Sequence, residues 1–358
     1  MAAFGVAAVK MAADFDQQMS TVQANTGATS AQMDQLRAAA IEAGASTVYS
    51  ATDSADAIND LGKAGMSVTD ILNGGLTGAL NLAASDGMAV GDAAEYMANA
   101  LSMFHLKGSQ ASQVADTLAA AVGNVSDFGE ALNNCGAQAN SFGMNVQETT
   151  GVLALFAQNG TIGAEAGTQL NSMLMKLAAP SAEASNTMKE LGISAYDAQH
   201  HFVGMANFAG QLQKAEKGLT DEQRNQANAT IFGSYAIKAA NYLYEAGESG
   251  VNKWTKAVSE SGYAAEQAAA KNNNLKGDLE NLGGSMESLM ISVGEGAQGP
   301  LRKMVQGLDT TRSPVCRPER SRRSWSWRLW PACSARCIRP RAISTAAPAP
   351  WPTTSGLR

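Results

Sequence analysis

Along most of the chain apolar residues recur three and four positions apart, the spacing that lines one face of an α-helix. Phe15, Met19 and Val22 mark one side of a first helix over 4–24. Leu36 and Ile41 lie on a second, which starts at Thr29 or Ser30 and runs to Gly44. Ser50 and Asp53 form a capping pair ahead of a third, carrying Ala57, Ile58 and Leu61. Helices follow over 70–85, weakened by Gly74-Gly75, over 92–104, and from Ser109 through Val114 and Leu118 to Gly123. Another carries Phe128 and Leu132. The stretch 142–180, FGMNVQETTGVLALFAQNGTIGAEAGTQLNSMLMKLAAP, predicts a tight helical hairpin. Asn145 caps its first helix with Glu148 reaching back to the cap, and Asn159-Gly160 makes the turn. Leu170, Met173, Leu174 and Leu177 stripe its second helix, and Pro180 blocks continuation. Beyond it lie a short polar-faced helix and then AQHHFV at 198–203, a turn or short strand. A helix opened by Thr220 follows, with Ile231, Phe232, Ile237, Leu243 and Tyr244.

A small pattern punctuates these helices: Gly, an apolar or small residue, a capping residue, two more, then an acid or Gln. It occurs at Gly65–Asp70, Gly143–Glu148, Gly192–Asp197 and Gly218–Gln223, and in degenerate form at Gly87–Asp92, where Ala89 cannot cap. Each copy predicts a helix ending on a left-handed glycine and a new helix opened by a Ser, Thr or Asn cap. The copies are irregularly spaced, which excludes a fixed-period solenoid.

The pattern changes near the end. Leu275, Leu279, Leu282, Met286, Leu289 and Val293 are spaced 4, 3, 4, 3, 4, the seam of a coiled coil over about three heptads. Gly283-Gly284 weakens it, and the segment reads as the beginning of a rod that then stops. From about Thr310 periodicity disappears. Residues 310–358 hold seven of the nine prolines, no lysine, four tryptophans and ten arginines against the single acid Glu319. Such a mixture is what a GC-rich gene yields when read in the wrong frame, so this tail is expected to be a disordered frameshift product.

Composition agrees with a helical packing unit. Apolar residues make up 45% of the 358, but aromatics only 6%; Ala, Gly and sixteen Met supply much of the rest. Small side chains favour close helix packing, and Met fills irregular gaps. The net charge of -6 conceals an acidic body, whose only arginines before residue 310 are Arg37, Arg224 and Arg302. An acidic body argues against binding nucleic acid through its phosphates. The N-terminus lacks the basic region of a signal peptide and reads as an amphipathic helix. No apolar run approaches the ~20 residues of a membrane span.

No constellation for chemistry emerges. His200-His201 are adjacent and cannot share a helix face, so a solvated loop is expected there. His105 reads as a packed or helix-end histidine, and Cys135 as a buried hydrophobe. Gly160–Gly163 suits a turn better than an anion cradle. Cys316, Cys333 and Cys337 lack zinc spacing, and the Arg/Trp mixture over Arg322–Trp330 belongs to the aberrant tail. The site expectation is therefore none: no catalytic, cofactor-binding or metal-binding residues, no cofactor, and no enzyme.

Three stretches, in order, resemble the core of tape measure proteins from long-tailed phages and prophages of Gram-positive bacteria. They are ALNNCGAQANSFGMNVQETTGVLALFAQNGTIGAEAGTQLNSMLMKLAAPS at 131–181, MKELGIS at 188–194 and LTDEQRNQANATIFGSYAIKAANYL at 219–243, with DLGKAGMS at 60–67 and the Phe15 helix in support. The resemblance covers roughly residues 10–309. It implies a structural virion component that forms a helical assembly in the tail tube, sets tail length, and leaves through the tube at DNA ejection. Implied partners are other copies of itself in a helical bundle, the tail tube protein, tail assembly chaperones and baseplate or distal tail proteins. Implied locations are the virion tail and, during assembly, the host cytoplasm. Family members run longer, through a rod that is missing here, and the start looks clipped, so a fragment of a disrupted gene is expected. A secreted or surface helical binding module is the competing class, since it would share the Ala-rich capped helices.

The expected fold is all-α: a compact Ala/Gly-rich core of short capped helices, a coiled-coil-like helix, and a disordered C-terminal tail. The expected division is an N-terminal helix at 1–26, a core at 27–250, the start of a rod at 251–309 and the aberrant tail at 310–358.

Overall fold

The computed structural model describes residues 2–310 apart from 122, so the expectations for residues 311–358 lie outside the described residues. Nearly all of the described chain is helical. The first half contains α1 (Ala2–Thr26), α2 (Ser30–Ser46), α3 (Ala51–Lys63), α4 (Val68–Asp70), α5 (Leu76–Asp86), α6 (Val90–Met103) and α7 (Ala111–Ala119). The second half contains α8 (Val125–Ser141), α9 (Val146–Gln158), α10 (Gly163–Ala178), α11 (Ala182–Glu190), α12 (Met205–Glu216), α13 (Asp221–Phe232), α14 (Ile237–Ala257), α15 (Tyr263–Asn272) and α16 (Leu275–Thr310). No strand forms among the described residues; Tyr196 and Phe202 make one isolated antiparallel bridge.

Several of the helix starts close with reciprocal partners. Thr29 with Gln32, Ser50 with Asp53 and Thr220 with Gln223 each close a complete capping box. Ala89 stands at the start of α6 and caps nothing. Gly143 (φ 79°) and Gly192 (φ 69°) take the left-handed conformation just past α8 and α11. Gly74 (φ 129°) breaks the helix between α4 and α5 through a π-turn over Ile71–Gly75.

Five expectations need correction. The single helix expected from Thr220 through Tyr244 is broken: α13 ends at Phe232, Gly233 takes φ 79°, and α14 begins at Ile237. Gly218 does not take the left-handed conformation expected of it ahead of the Thr220 cap. Asn145 does cap α9 by accepting from the Glu148 N–H at 2.8 Å, but the Glu148 carboxylate does not reach back. It accepts from the Met205 N–H at 2.7 Å and so caps α12. Gly192 ends α11, yet Ser194 opens no helix: its hydroxyl donates to the Tyr196 carbonyl at 2.6 Å and its N–H to Gln211. Tyr196 and Phe202 are drawn instead against the ring of Phe142, with centroids 6.2 and 5.2 Å away, and a helix would carry them off it. Finally, α9 and α10 are joined by a short turn but are not each other's main partners. α10 packs chiefly on α8, and α9 chiefly on α14.

The reason lies in two glycines. A Cβ on Gly167 of α10 would strike the Ala131 carbonyl of α8, so only glycine allows those backbones to touch. A Cβ on Gly151 of α9 would lie 2.7 Å from the Thr255 backbone of α14. α9 is buried almost all round, from Thr149 through Phe156, and is the central helix of its half. α12 packs on α14, α6 on α8, and α15 on α5 and α7, so one hydrophobic core runs through both halves.

Gly143→Ala and Gly167→Ala separate backbone strain from packing. Around Gly143 an added Cβ meets nothing within 4 Å, so the loss in urea unfolding should be about 1 kcal/mol. Gly167→Ala must push α10 off α8 and should lose more, about 2–3 kcal/mol. Equal losses in the two variants would contradict the close contact.

Candidate assembly interface

The last helix carries two different faces. The Leu seam expected to start a rod forms a continuous stripe on α16, and it is bare. Leu275, Leu279, Leu282, Met286, Leu289 and Val293 are 41–74% exposed, the only large run of exposed apolar side chains among the described residues. On the opposite side Gly277, Gly284, Ser288, Ile291 and Gly294 are buried against the body. Among the described residues Ile291 is the single large apolar side chain there, at 0% exposure.

Small residues make that docked face. A Cβ on Gly284 would strike the Gly44 carbonyl of α2, and one on Gly294 the Ala8 carbonyl of α1. Gly283-Gly284 therefore does not simply weaken the helix: Gly284 is the point of closest approach. Polar contacts complete the dock. The Ser288 hydroxyl donates to the Ile41 carbonyl at 3.1 Å and the Ser285 hydroxyl to the Ala45 carbonyl at 3.1 Å. Glu287 accepts from the Thr52 hydroxyl at 2.8 Å and from its N–H at 3.3 Å, adding a carboxylate to the N-terminus of α3. Arg37 of α2 bridges Glu295 of α16 at 2.9 Å and Asp16 of α1 at 2.7 Å, with its guanidinium 5.4 Å from the Phe15 ring centroid.

The sequence did not single out this face. Its signal was the seven-residue recurrence of Gly277, Gly284 and Ile291, out of phase with the louder Leu seam. An amphipathic helix ordinarily turns its larger side chains inward. Here backbone contact and hydrogen bonds hold the small face, and the large side chains are left outward.

The other residues considered for chemistry are not brought together. His200 and His201 are exposed in the Tyr196–Phe202 turn, where Asp197 accepts from the His201 N–H at 2.8 Å. They flank an open cleft of about 630 Å³ with Phe142, Tyr196 and Phe202. His105, at φ 52° past the end of α6, lies 2.8 Å from Asn140 through its Nδ1. Cys135 is buried in the core, and burial pushes its thiol up to about 12, far from thiolate chemistry at neutral pH. Gly160–Gly163 forms the turn between α9 and α10, where Thr161 meets the Tyr242 hydroxyl at 3.2 Å. Cys316, Cys333, Cys337 and Arg322–Trp330 lie outside the described residues. Among the described residues no three His, Cys, Asp or Glu side chains gather as metal ligands, and no helix is long and apolar enough to cross a membrane.

Comparison with known proteins agrees with a helical tail component. The tape measure protein of Pneumococcus phage Dp-1 is 35% identical over 307 residues, covering 84% of this chain and 27% of that protein. A protein of Escherichia phage P2, named "Probable tape measure protein", is 29% identical over 303 residues, covering 82% of this chain and 37% of that protein. The chain thus spans between a quarter and two-fifths of the length of these relatives. No solved structure matches it. The family model described as "Phage-related minor tail protein" matches residues 37–233, from within α2 to the end of α13 and more than half of the chain. On that match, the chain belongs to the phage-related minor tail protein family.

Proposed function

We propose that this chain is a structural, non-enzymatic part of a phage tail, the core and rod start of a tape measure protein that sets tail length during assembly. The observation that carries the reading is the bare heptad seam on α16, a surface suited to assembly rather than to catalysis. The names of the two relatives support it. The tail tube protein, the assembly chaperones and the baseplate or distal tail proteins are its further proposed partners, in the virion tail and, before that, in the host cytoplasm.

The proposed occupant of the seam is a second copy of this chain. A 4-3 seam fits another helix with the same repeat, knob into hole. Among the described helices the other large apolar stripes are already buried, and residues 311–358 hold no such repeat. The positions flanking the seam are Lys276, Asp278, Gly283, Ser285, Met290 and Ser292, so charge repulsion between two copies is minimal. The next two seam positions are Gly296 and Pro300, which confines the contact on this chain to Leu275–Val293, ~27 Å of helix. So short a seam gives weak, concentration-dependent association.

Sedimentation velocity should show that association, and Leu282→Glu with Leu289→Glu should weaken it at least tenfold. Helicity by circular dichroism should stay unchanged, because these side chains touch little of the body. A parent that stays monomeric at several hundred micromolar would remove the second copy as occupant. The ruler role is tested separately. Inserting two heptads after Val293 in a tail-producing phage that carries this protein should lengthen the tail by ~21 Å. Tails of unchanged length in electron micrographs would refute the ruler and leave family membership standing.

A further inference from the structure

Three helices of the second half meet around a buried carboxylate. Glu216, the last residue of α12, has no solvent exposure. Its Oε2 accepts a long hydrogen bond of 3.4 Å from Asn228 of α13, and its Oε1 has no partner. It also stands at the C-terminal end of its helix, where the last carbonyls disfavour negative charge. The Asn228 amide donates again, to Asn241 of α14 at 3.0 Å, and Asn241 donates to Asn225 at 3.0 Å.

One turn before Asn228, on the same face of α13, lies Arg224. Its Nη2 bonds the exposed Asp221 at 2.7 Å, and its guanidinium stacks 4.5 Å from the Tyr244 ring centroid. Its Nε is buried with no acceptor. Among the described residues five buried side-chain atoms lack a partner, and Glu216 Oε1, Arg224 Nε and Asn228 Oδ1 are three of them. A carboxylate oxygen without a donor and a guanidinium N–H without an acceptor thus lie in one node. This arrangement suits a neutral acid, since an ionised Glu216 buried with one long hydrogen bond would be strongly disfavoured.

We propose that Glu216 and Arg224 form a proton-controlled partner exchange. With Glu216 neutral, Arg224 stays on Asp221 and Tyr244. When Glu216 gives up its proton to solvent, Arg224 turns its Nε–H to Glu216 Oε1 and releases Asp221, loosening the first turn of α13. Arg224 is the charged group bearing on Glu216 from α13, with Asp221 behind it; α14 presents Asn241 and the Tyr244 phenol. Burial pushes the Glu216 carboxyl up to about 7, against the opposing pulls of Asn228 and Arg224, which sets the exchange in the neutral range. Because the folded state binds the proton more tightly than the unfolded chain, this group's contribution to stability is full below its ordinary range. It is lost as pH rises through 7. The exchange does not depend on the tail role.

The test is an NMR titration of the arginine Nε–H resonances in the full chain, with Arg224 assigned by its disappearance in R224K. The Arg224 signal should shift in one step centred near pH 7, and thermal stability should fall from pH 6 to pH 8. In the near-isosteric E216Q both effects should vanish, with stability at pH 8 raised above the parent's. D221N should keep the step and move it to lower pH, because Arg224 is then free for Glu216. An Arg224 signal that stays fixed between pH 5.5 and 8.5 in the folded parent would overturn the proposal. So would one that still titrates in E216Q, or one that ceases to titrate in D221N.

Discussion

Close backbone approach is the constraint on which the rest of this structure depends. A chain whose apolar residues are largely Ala, Gly and Met, with 6% aromatics, buries little area per side chain. It gains dispersion contacts by bringing helix backbones together. Gly167 lets α10 lie on the Ala131 backbone, Gly151 admits the Thr255 backbone, and Gly284 and Gly294 seat α16 on Gly44 and Ala8. At each of these contacts even one methyl group would have to displace backbone, which no side-chain rotamer can relieve. Larger residues fill what remains: Phe15 under Arg37, and Phe208 edge-on to Phe232 with centroids 6.0 Å apart.

Helices brought so close leave their ends inside or at the edge of the core, where the first N–H groups need acceptors. Acidic residues distant in sequence supply several. Asp86 accepts from the Val125 N–H at 3.3 Å at the start of α8. Asp116 takes the Gly262 and Ala264 N–H groups at 2.7 and 3.0 Å at the start of α15, Glu148 caps α12, and Glu287 adds to α3. Part of the acidity that looks like a solvated surface in the sequence is thus a set of long-range clasps, each setting a negative charge against the positive end of a helix dipole. For Glu148, burial raises its carboxyl above the ordinary range despite the Met205 N–H, so this clasp holds while giving up hydration.

The same economy explains α16. A helix with Leu on one side and Gly, Ser and Ile291 on the other has two usable faces. The body takes the face that permits backbone contact, held by Arg37 between Asp16 and Glu295. The Leu face is left exposed.

The sequence by itself determined that the chain is helical, where many of its helices stop and start, and that one helix carries a heptad seam; α12, α15 and the break at Gly233 between α13 and α14 came only with the structure. The features legible in the sequence rest on local physics: the 3.6-residue repeat, a hydroxyl or amide three residues before its N–H, and a glycine free to turn left-handed. It misled where a local signal had a distant competitor. Glu148 had a cap three residues away and took one 57 residues away; Ser194 had a helix to open, and the aromatic cluster around Phe142 claimed the segment first. The pairing of α10 with α8 rather than α9, the docked side of α16, and the meeting of Glu216 with Arg224 were decided only by the tertiary structure. Each depends on which backbones come within a methyl's width of one another, and that distance is a property of the packed chain, with no counterpart in the spacing of residues along it.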